Sequence, residues 1–213
     1  MDFLPESISN YVEKYSEQES ELLQELNHET WEKILTPRML SGHLQGRVLS
    51  MLSHMIQPTN ILEIGTYTGY SALCLAEGLK ENGSIDTIDI NEELESFAKK
   101  YFDKAGLSNI IEQHIGNALD IIPTLNKKYD IVFIDADKSN YINYYNLVLD
   151  MVNPGGYIIA DNVLWSGKVT EPIEKMDEDT KTLLEYAKHL VNDNRVQQII
   201  FPIRDGLLIA RKK

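Results

Sequence analysis

The spacing of apolar residues changes character near residue 60. Upstream, from about residue 6 to 56, Leu22, Leu23 and Leu26, then Leu40, Leu44, Val48, Leu49 and Leu52 recur at helical intervals, with a break near Thr36-Pro37. This predicts a helical cap. Downstream, short apolar runs at Ile61-Leu62, Ser84 to Ile88, Ile110 to Ile115, Asp130 to Ile134 and Gly156 to Ala160 are separated by amphipathic segments of helix length. Alternating strands and helices predict a parallel sheet covered by helices on both faces. The last two runs, Val196 to Phe201 and Leu207 to Ala210, are joined only by Pro202-Ile203-Arg204-Asp205-Gly206. That link is too short for a helical crossover and predicts an antiparallel hairpin.

Length and charge narrow the function. A chain of 213 residues suffices for one well-buried core, so a single domain is expected. A formal net charge of −13 opposes a broad nucleic-acid face, which needs clustered Lys and Arg to neutralise phosphates. The start, Met1-Asp2-Phe3-Leu4-Pro5-Glu6, has neither the basic nor the apolar stretch of a signal peptide, and no segment is long enough to span a bilayer. A cytoplasmic protein working on small molecules, with no membrane partner, is the expectation. The single cysteine, Cys74, falls in a helical pattern and reads as a small buried residue.

Candidate chemistry sits where strands end, because ligands of open α/β sheets gather outside the carboxyl ends of parallel strands. After the first strand comes Glu63-Ile64-Gly65-Thr66-Tyr67-Thr68-Gly69-Tyr70-Ser71. Gly65 and Gly69 allow a tight turn and close backbone approach to a ligand, but the spacing is neither GxGxxG nor a phosphate loop, which weakens a diphosphate reading. Glu63 suits a cationic ligand, such as a sulfonium or amino-acid moiety. Asp89, after the second strand, either accepts hydrogen bonds from ribose hydroxyls or caps the next helix beside Asn91.

Two further strand ends carry Asp135-Ala136-Asp137-Lys138 and Asp161-Asn162. Asp135, Asp161 and Asn162 offer only oxygen ligands, which suits Mg²⁺ or Ca²⁺ over a soft metal. The histidines, His28, His43, His54, His114 and His189, show no ligand spacing. Lys138 is either a solvated residue in a helical first turn or a base, since a bound divalent ion beside it disfavours the ammonium. Trp165 reads equally as packing or as one wall of an aromatic pocket. Tyr141, Tyr144 and Tyr145 recur at helical spacing and read as packing.

Taken in order, Met39 to Gly46, Glu63 to Ser71, Ile88-Asp89, Gly116-Asn117-Ala118, Phe133 to Lys138 and Asp161 to Val169 resemble the cation-dependent, S-adenosylmethionine-dependent O-methyltransferases, the group of catechol and caffeoyl-CoA O-methyltransferases. The resemblance runs from about Thr36 to the C-terminus. It implies a Rossmann-like class I methyltransferase fold: an α/β domain with a mostly parallel seven-stranded sheet, an antiparallel C-terminal hairpin, a helical cap to about residue 56 and the cofactor-binding core from 57. It also implies that Met39, Ser41, Glu63, Gly65, Thr66, Ser71, Asp89, Ala118 and Asp135 line the S-adenosylmethionine site. Asp135, Asp161 and Asn162 match the ligands of Mg²⁺ (or Mn²⁺ or Ca²⁺) and Lys138 the general base; Trp165 and Arg204 are the candidate substrate residues. A homodimer is implied as well. Two departures bear on that pocket: Ser41 to Gly46 lacks an acidic residue common in relatives, and Arg204 stands where a small residue is usual.

The implied reaction is methyl transfer to one hydroxyl of a vicinal aromatic diol, a caffeoyl-CoA-like conjugate included. Competing readings are a non-catalytic S-adenosylmethionine-binding or scaffold protein and a nucleotide-dependent oxidoreductase, and fold alone does not choose among them.

Overall fold

All seven apolar runs form strands in the computed structural model, which describes residues 4–213; Met1 to Phe3, where the signal-peptide reading begins, lie outside the described residues. The chain divides into a unit of residues 4–117 and a unit of residues 118–213.

In residues 4–117, helices α1 (Glu6–Tyr15), α2 (Glu21–Lys33) and α3 (Gly42–Ile56) precede β1 (Asn60–Ile64), α4 (Tyr70–Ala76), β2 (Ser84–Asp89), α5 (Glu95–Lys104) and β3 (Ile111–Ile115). β2 pairs in parallel with β1 and with β3. Ser20 caps α2 by accepting the Leu23 N–H at 3.3 Å, and the predicted break falls at a 3₁₀ turn, Pro37–Met39. Helix α2 is tied down by its buried Leu23 and Leu26 and by Glu29, which meets Lys100 and Tyr101 of α5.

Helix α3 departs from its apolar spacing. Its buried residues are Gln45, Gly46, Leu49, Ser50 and Ser53, while Leu44, Val48 and Leu52 are half-buried. The cause is close approach of the next helix: a Cβ on Gly46 would lie 2.6 Å from Tyr70 Cε1 and 2.8 Å from Cys74 Sγ. At Gly46 no larger residue would fit that contact, and the buried Ser53 hydroxyl is satisfied by donating to the Leu75 carbonyl at 2.6 Å.

In residues 118–213, α6 (Ala118–Ile121), β4 (Tyr129–Ile134), α7 (Tyr141–Leu149) and β5 (Val152–Ala160) are followed by α8 (Glu178–Asn192), β6 (Val196–Phe201) and β7 (Leu207–Lys212). β4 and β5 are parallel, whereas β7 runs antiparallel to both β5 and β6. The predicted hairpin therefore places its second strand inside, against β5, and its first strand outside. Asp177 caps α8 through the Thr180 N–H at 2.9 Å. Between α7 and α8 the core is aromatic: Tyr141 and Tyr145 meet Tyr186 edge-on, with ring centres 5.5 and 6.2 Å apart. Among the described residues no helix is long and apolar enough to cross a membrane.

Candidate active site

The parallel register of β4 and β5 pairs Ile134 with Ala160, so the residues that follow, Asp135 and Asp161, leave the sheet side by side. Asp161 keeps one more ladder bond, from its N–H to the Ile134 carbonyl at 2.9 Å. Lys138 then returns from the 3₁₀ turn Lys138–Asn140 with only 8% of its surface exposed. Its Nζ donates to Asp135 Oδ1 at 3.2 Å, to Asn162 Oδ1 at 2.8 Å and to the Tyr141 hydroxyl at 2.6 Å. Asp161 turns its carboxylate to the Asn162 N–H at 2.6 Å, and Asn162 adopts a left-handed φ of 57°.

Sequence reasoning took Tyr141 for packing, and the structure corrects this in part. The residue is fully buried, yet its hydroxyl accepts from Lys138 and donates to the Asp161 carbonyl at 3.0 Å. Burial, reinforced by the charges of Asp135 and Asp161, raises its pKa well above the ordinary phenol value, so it remains a phenol at neutral pH. The legible signal was spacing: Lys138 and Tyr141 stand three residues apart, within reach on one helical face.

Asp137, in the same acidic segment, does different work. Burial pushes its carboxyl up, but hydrogen bonds from Tyr144, Ser139 and Asn140 outweigh that and hold it below the usual range. It fixes the turn that carries Lys138. The donor set of Asp135, Asp161 and Asn162 fits a hard divalent cation, since all three offer oxygen and two of them already converge on a single cationic nitrogen.

The loop after Asn162 is unusual. Trp165, Ser166 and Gly167 all have positive φ, at 47°, 56° and 85°, and a non-glycine residue held there costs about 1–3 kcal/mol. Two ammonium groups approach the Trp165 ring, Lys138 Nζ at 5.8 Å and Lys168 Nζ at 5.9 Å from its centre. Its Nε1 is buried with no hydrogen-bond partner among the described residues. Arg204 is exposed in the hairpin turn with φ 49°.

The residues matched to the cofactor lie in the other unit, except for Asp135 and Ala118, the buried first residue of α6. Glu63 is fully buried at the end of β1, and its two oxygens accept from the hydroxyls of Ser71 at 2.6 Å and Thr87 at 2.5 Å. Those donors meet the requirement that a buried carboxylate be hydrogen-bonded. Thr66 joins them at 2.5 Å from Thr87. Gly65 and Gly69 have φ of 106° and 87°, and the turn between them is held by the Tyr67 N–H donating to Asp89 Oδ2 at 2.6 Å. Asp89 accepts the Asn91 N–H as well, and Asn91, not Asp89, caps the following 3₁₀ turn through the Glu93 N–H. Of the preceding segment, Ser41 is buried and Met39 is 62% exposed.

Two other sequence readings have outcomes here. Burial pushes the Cys74 thiol up to about 12, against the pull of Arg47, so it is an inert interior residue. His114, unremarkable in sequence, lies with Asp86 and Glu112, their ligand atoms within 4.8 Å of one another. Asp86 and Glu112 are register partners on β2 and β3, and His114 Nε2 reaches the buried Asp86 at 3.0 Å. It shares no residue with the set Asp135, Asp161 and Asn162.

Residues 13–213 match the family model described as O-methyltransferase. Caffeoyl-CoA O-methyltransferase 5 of Nicotiana tabacum is 38% identical over 179 residues, which span 79% of this chain and 75% of that protein. Among solved structures, the methyltransferase PaMTH1 of Podospora anserina, bound to SAH, matches with a TM-score of 0.90 at 27% identity over 100% of this chain and 99% of the other. The O-methyltransferase of Bacillus cereus, in complex with SAH, matches with a TM-score of 0.89 at 28% identity over 97% of each chain. The Rossmann-like methyltransferase fold expected from sequence is thereby shown, and the oxidoreductase and scaffold readings fall away. This chain belongs to the O-methyltransferase family and is an S-adenosylmethionine-dependent O-methyltransferase.

Proposed function

We propose that the enzyme methylates one hydroxyl of a vicinal dihydroxy aromatic acceptor, with S-adenosylmethionine as donor and a divalent cation as cofactor. The observation that carries this reading is the convergence of Asp135 Oδ1 and Asn162 Oδ1 on Lys138 Nζ, an oxygen-lined seat that already holds one positively charged group. Similarity to proteins named caffeoyl-CoA O-methyltransferases supports a phenolic acceptor.

Asp135, Asp161 and Asn162 would hold the cation. When bound, it supplies a positive charge that makes an aromatic hydroxyl more acidic and favours acceptors with two adjacent oxygens. Lys138, as the neutral amine, takes the hydroxyl proton at Nζ, and Tyr141 keeps that nitrogen in place. The resulting phenolate oxygen attacks the sulfonium methyl in line. A C–O bond forms as the C–S bond breaks, and S-adenosylhomocysteine leaves. Glu63, Gly65, Thr66, Ser71 and Asp89 hold the donor, with Met39, Ser41, Ala118 and Asp135 contributing. Asp89 addresses the ribose, and Trp165 and Arg204 address the acceptor.

The test is transfer of labelled methyl from S-adenosylmethionine to a panel of catechols, caffeoyl conjugates and matched monohydroxy phenols, with Mg²⁺ and with chelator. Turnover of the diols that is lost on chelation and restored by Mg²⁺ is expected. Chelator-resistant turnover would remove the cation, and equal turnover of monohydroxy phenols would remove selection for adjacent hydroxyls.

A further inference from the structure

The Trp165 loop is held in its left-handed conformation from outside, by the turn of the terminal hairpin. Leu164 donates its N–H to the Asp205 carbonyl at 2.8 Å, and Val163 donates to the Gly206 carbonyl at 3.2 Å. The Asp205 side chain adds a third bond, Oδ1 accepting the Ser166 N–H at 2.5 Å. Gly206 itself has φ 89°, and a Cβ there would lie 2.5 Å from Leu164 Cγ, so the two loops meet at the closest approach a glycine permits. The turn is closed by the Gly206 N–H donating to the Ile203 carbonyl at 2.9 Å.

Of these bonds only one is made by a side chain, and it grips the residue next to Trp165. Ser166 has φ 56° and ψ 27°, a conformation that Ser holds only when its surroundings fix it. An anionic acceptor on its N–H does so, because charge-assisted hydrogen bonds are about twice as strong as neutral ones. The indole it orients has a buried N–H with no partner among the described residues and one face toward Lys138.

We infer that Asp205 is a positioning residue for the acceptor: acting through the Ser166 N–H, it sets the Trp165 ring and so determines affinity for the aromatic substrate. This rests on the proposed acceptor chemistry for its kinetic consequence, but the positioning itself has a readout that needs no acceptor. Asp205, two residues before β7, thus acts on the acceptor side of the site from within the hairpin turn.

The experiment has two arms. The first uses a Trp31→Phe background, which leaves Trp165 as the sole tryptophan, and compares emission of the parent, Asp205→Ala and Asp205→Asn. Asp205→Ala is expected to shift Trp165 emission to the red, and Asp205→Asn, whose amide oxygen still accepts the N–H, to restore the parent spectrum. The second arm measures kinetics with the best diol. Asp205→Ala should raise KM for the acceptor about tenfold, the effect of losing one charge-assisted hydrogen bond, with KM for S-adenosylmethionine unchanged. In a Trp165→Ala background the same substitution should add nothing further. Unchanged emission in Asp205→Ala overturns the inference, as does a full additional effect of Asp205→Ala when Trp165 is already absent. Absence of turnover on every diol by the parent enzyme, with the emission shift intact, overturns the proposed acceptor and leaves the positioning of Trp165 standing.

Discussion

Lys138 Nζ lies 2.6 Å from the hydroxyl of Tyr141, and that same hydroxyl reaches the Asp161 carbonyl at 3.0 Å. One buried phenol therefore links the proposed base to the backbone of a proposed metal ligand. The lysine is positioned by three oxygens, of which Tyr141 is the nearest and the only one that a bound cation would not also claim.

Tyr141→Phe tests that link. The substitution preserves the ring that packs on Tyr186 but removes the hydroxyl, leaving the Asp161 carbonyl with one donor fewer at a cost of about 1–3 kcal/mol. We expect kcat to fall between about tenfold and a hundredfold through misplacement of Nζ, with binding of S-adenosylmethionine unchanged by calorimetry. Wild-type kcat in a correctly folded variant would show that Lys138 needs no such support.

Asp161→Ala separates the metal from the donor cofactor. Removing one of three protein oxygens from a hard-cation site should eliminate Mg²⁺-dependent turnover, while S-adenosylmethionine still binds, because Glu63, Gly65 and Asp89 are untouched. Calorimetric titration of Mg²⁺ into the parent and the variant checks the first part directly. Retained Mg²⁺-dependent activity would mean that the cation sits elsewhere, with the cluster of Asp86, Glu112 and His114 the next place to look.

Two glycines should respond differently to alanine. A Cβ on buried Gly78 would lie 2.2 Å from the Ser53 carbonyl carbon and 2.3 Å from the His54 nitrogen, so backbone must move, at about 3 kcal/mol. At Gly106 a Cβ meets nothing within 4 Å, and only the φ of 72° is unfavourable, at about 1 kcal/mol. Urea denaturation of the two variants should rank them in that order. Equal losses would imply that α3 yields freely where it meets the turn after α4.

Stability in acid should depend on Glu29. Lys100 first, then Lys33 and Tyr101, draw its carboxyl down from the ordinary 4.5 to about 2. A folded-state value below the unfolded one means the contribution is fully present above pH 4.5 and is lost as pH falls toward 2. Thermal melts across that window should therefore fall less steeply for Glu29→Gln than for the parent. Parallel curves would show that the Lys100 contact is solvated away.

Much of the fold was legible because its signals are local. A short apolar run set between helix-length segments or turn formers reads as a strand wherever it sits, and the seven such runs became strands. The hairpin followed from the shortness of Pro202 to Gly206. The acidic strand ends were legible as well, since residues that follow parallel strands must emerge at one end of the sheet.

What the sequence by itself determined, then, is the alternation of strands and helices, the glycine turn, and the oxygen-bearing residues at the ends of β4 and β5. Only the tertiary structure decided which donors complete them: Ser71 and Thr87 on Glu63, Tyr141 on Lys138, Asp205 on Ser166. It also decided that α3 buries Gly46, Ser50 and Ser53 more fully than Leu44, Val48 and Leu52, and that His114 meets Asp86. These contacts depend on register and on how closely two elements approach. Both are set by packing the whole chain to near-crystalline density, and neither leaves a periodic trace along it.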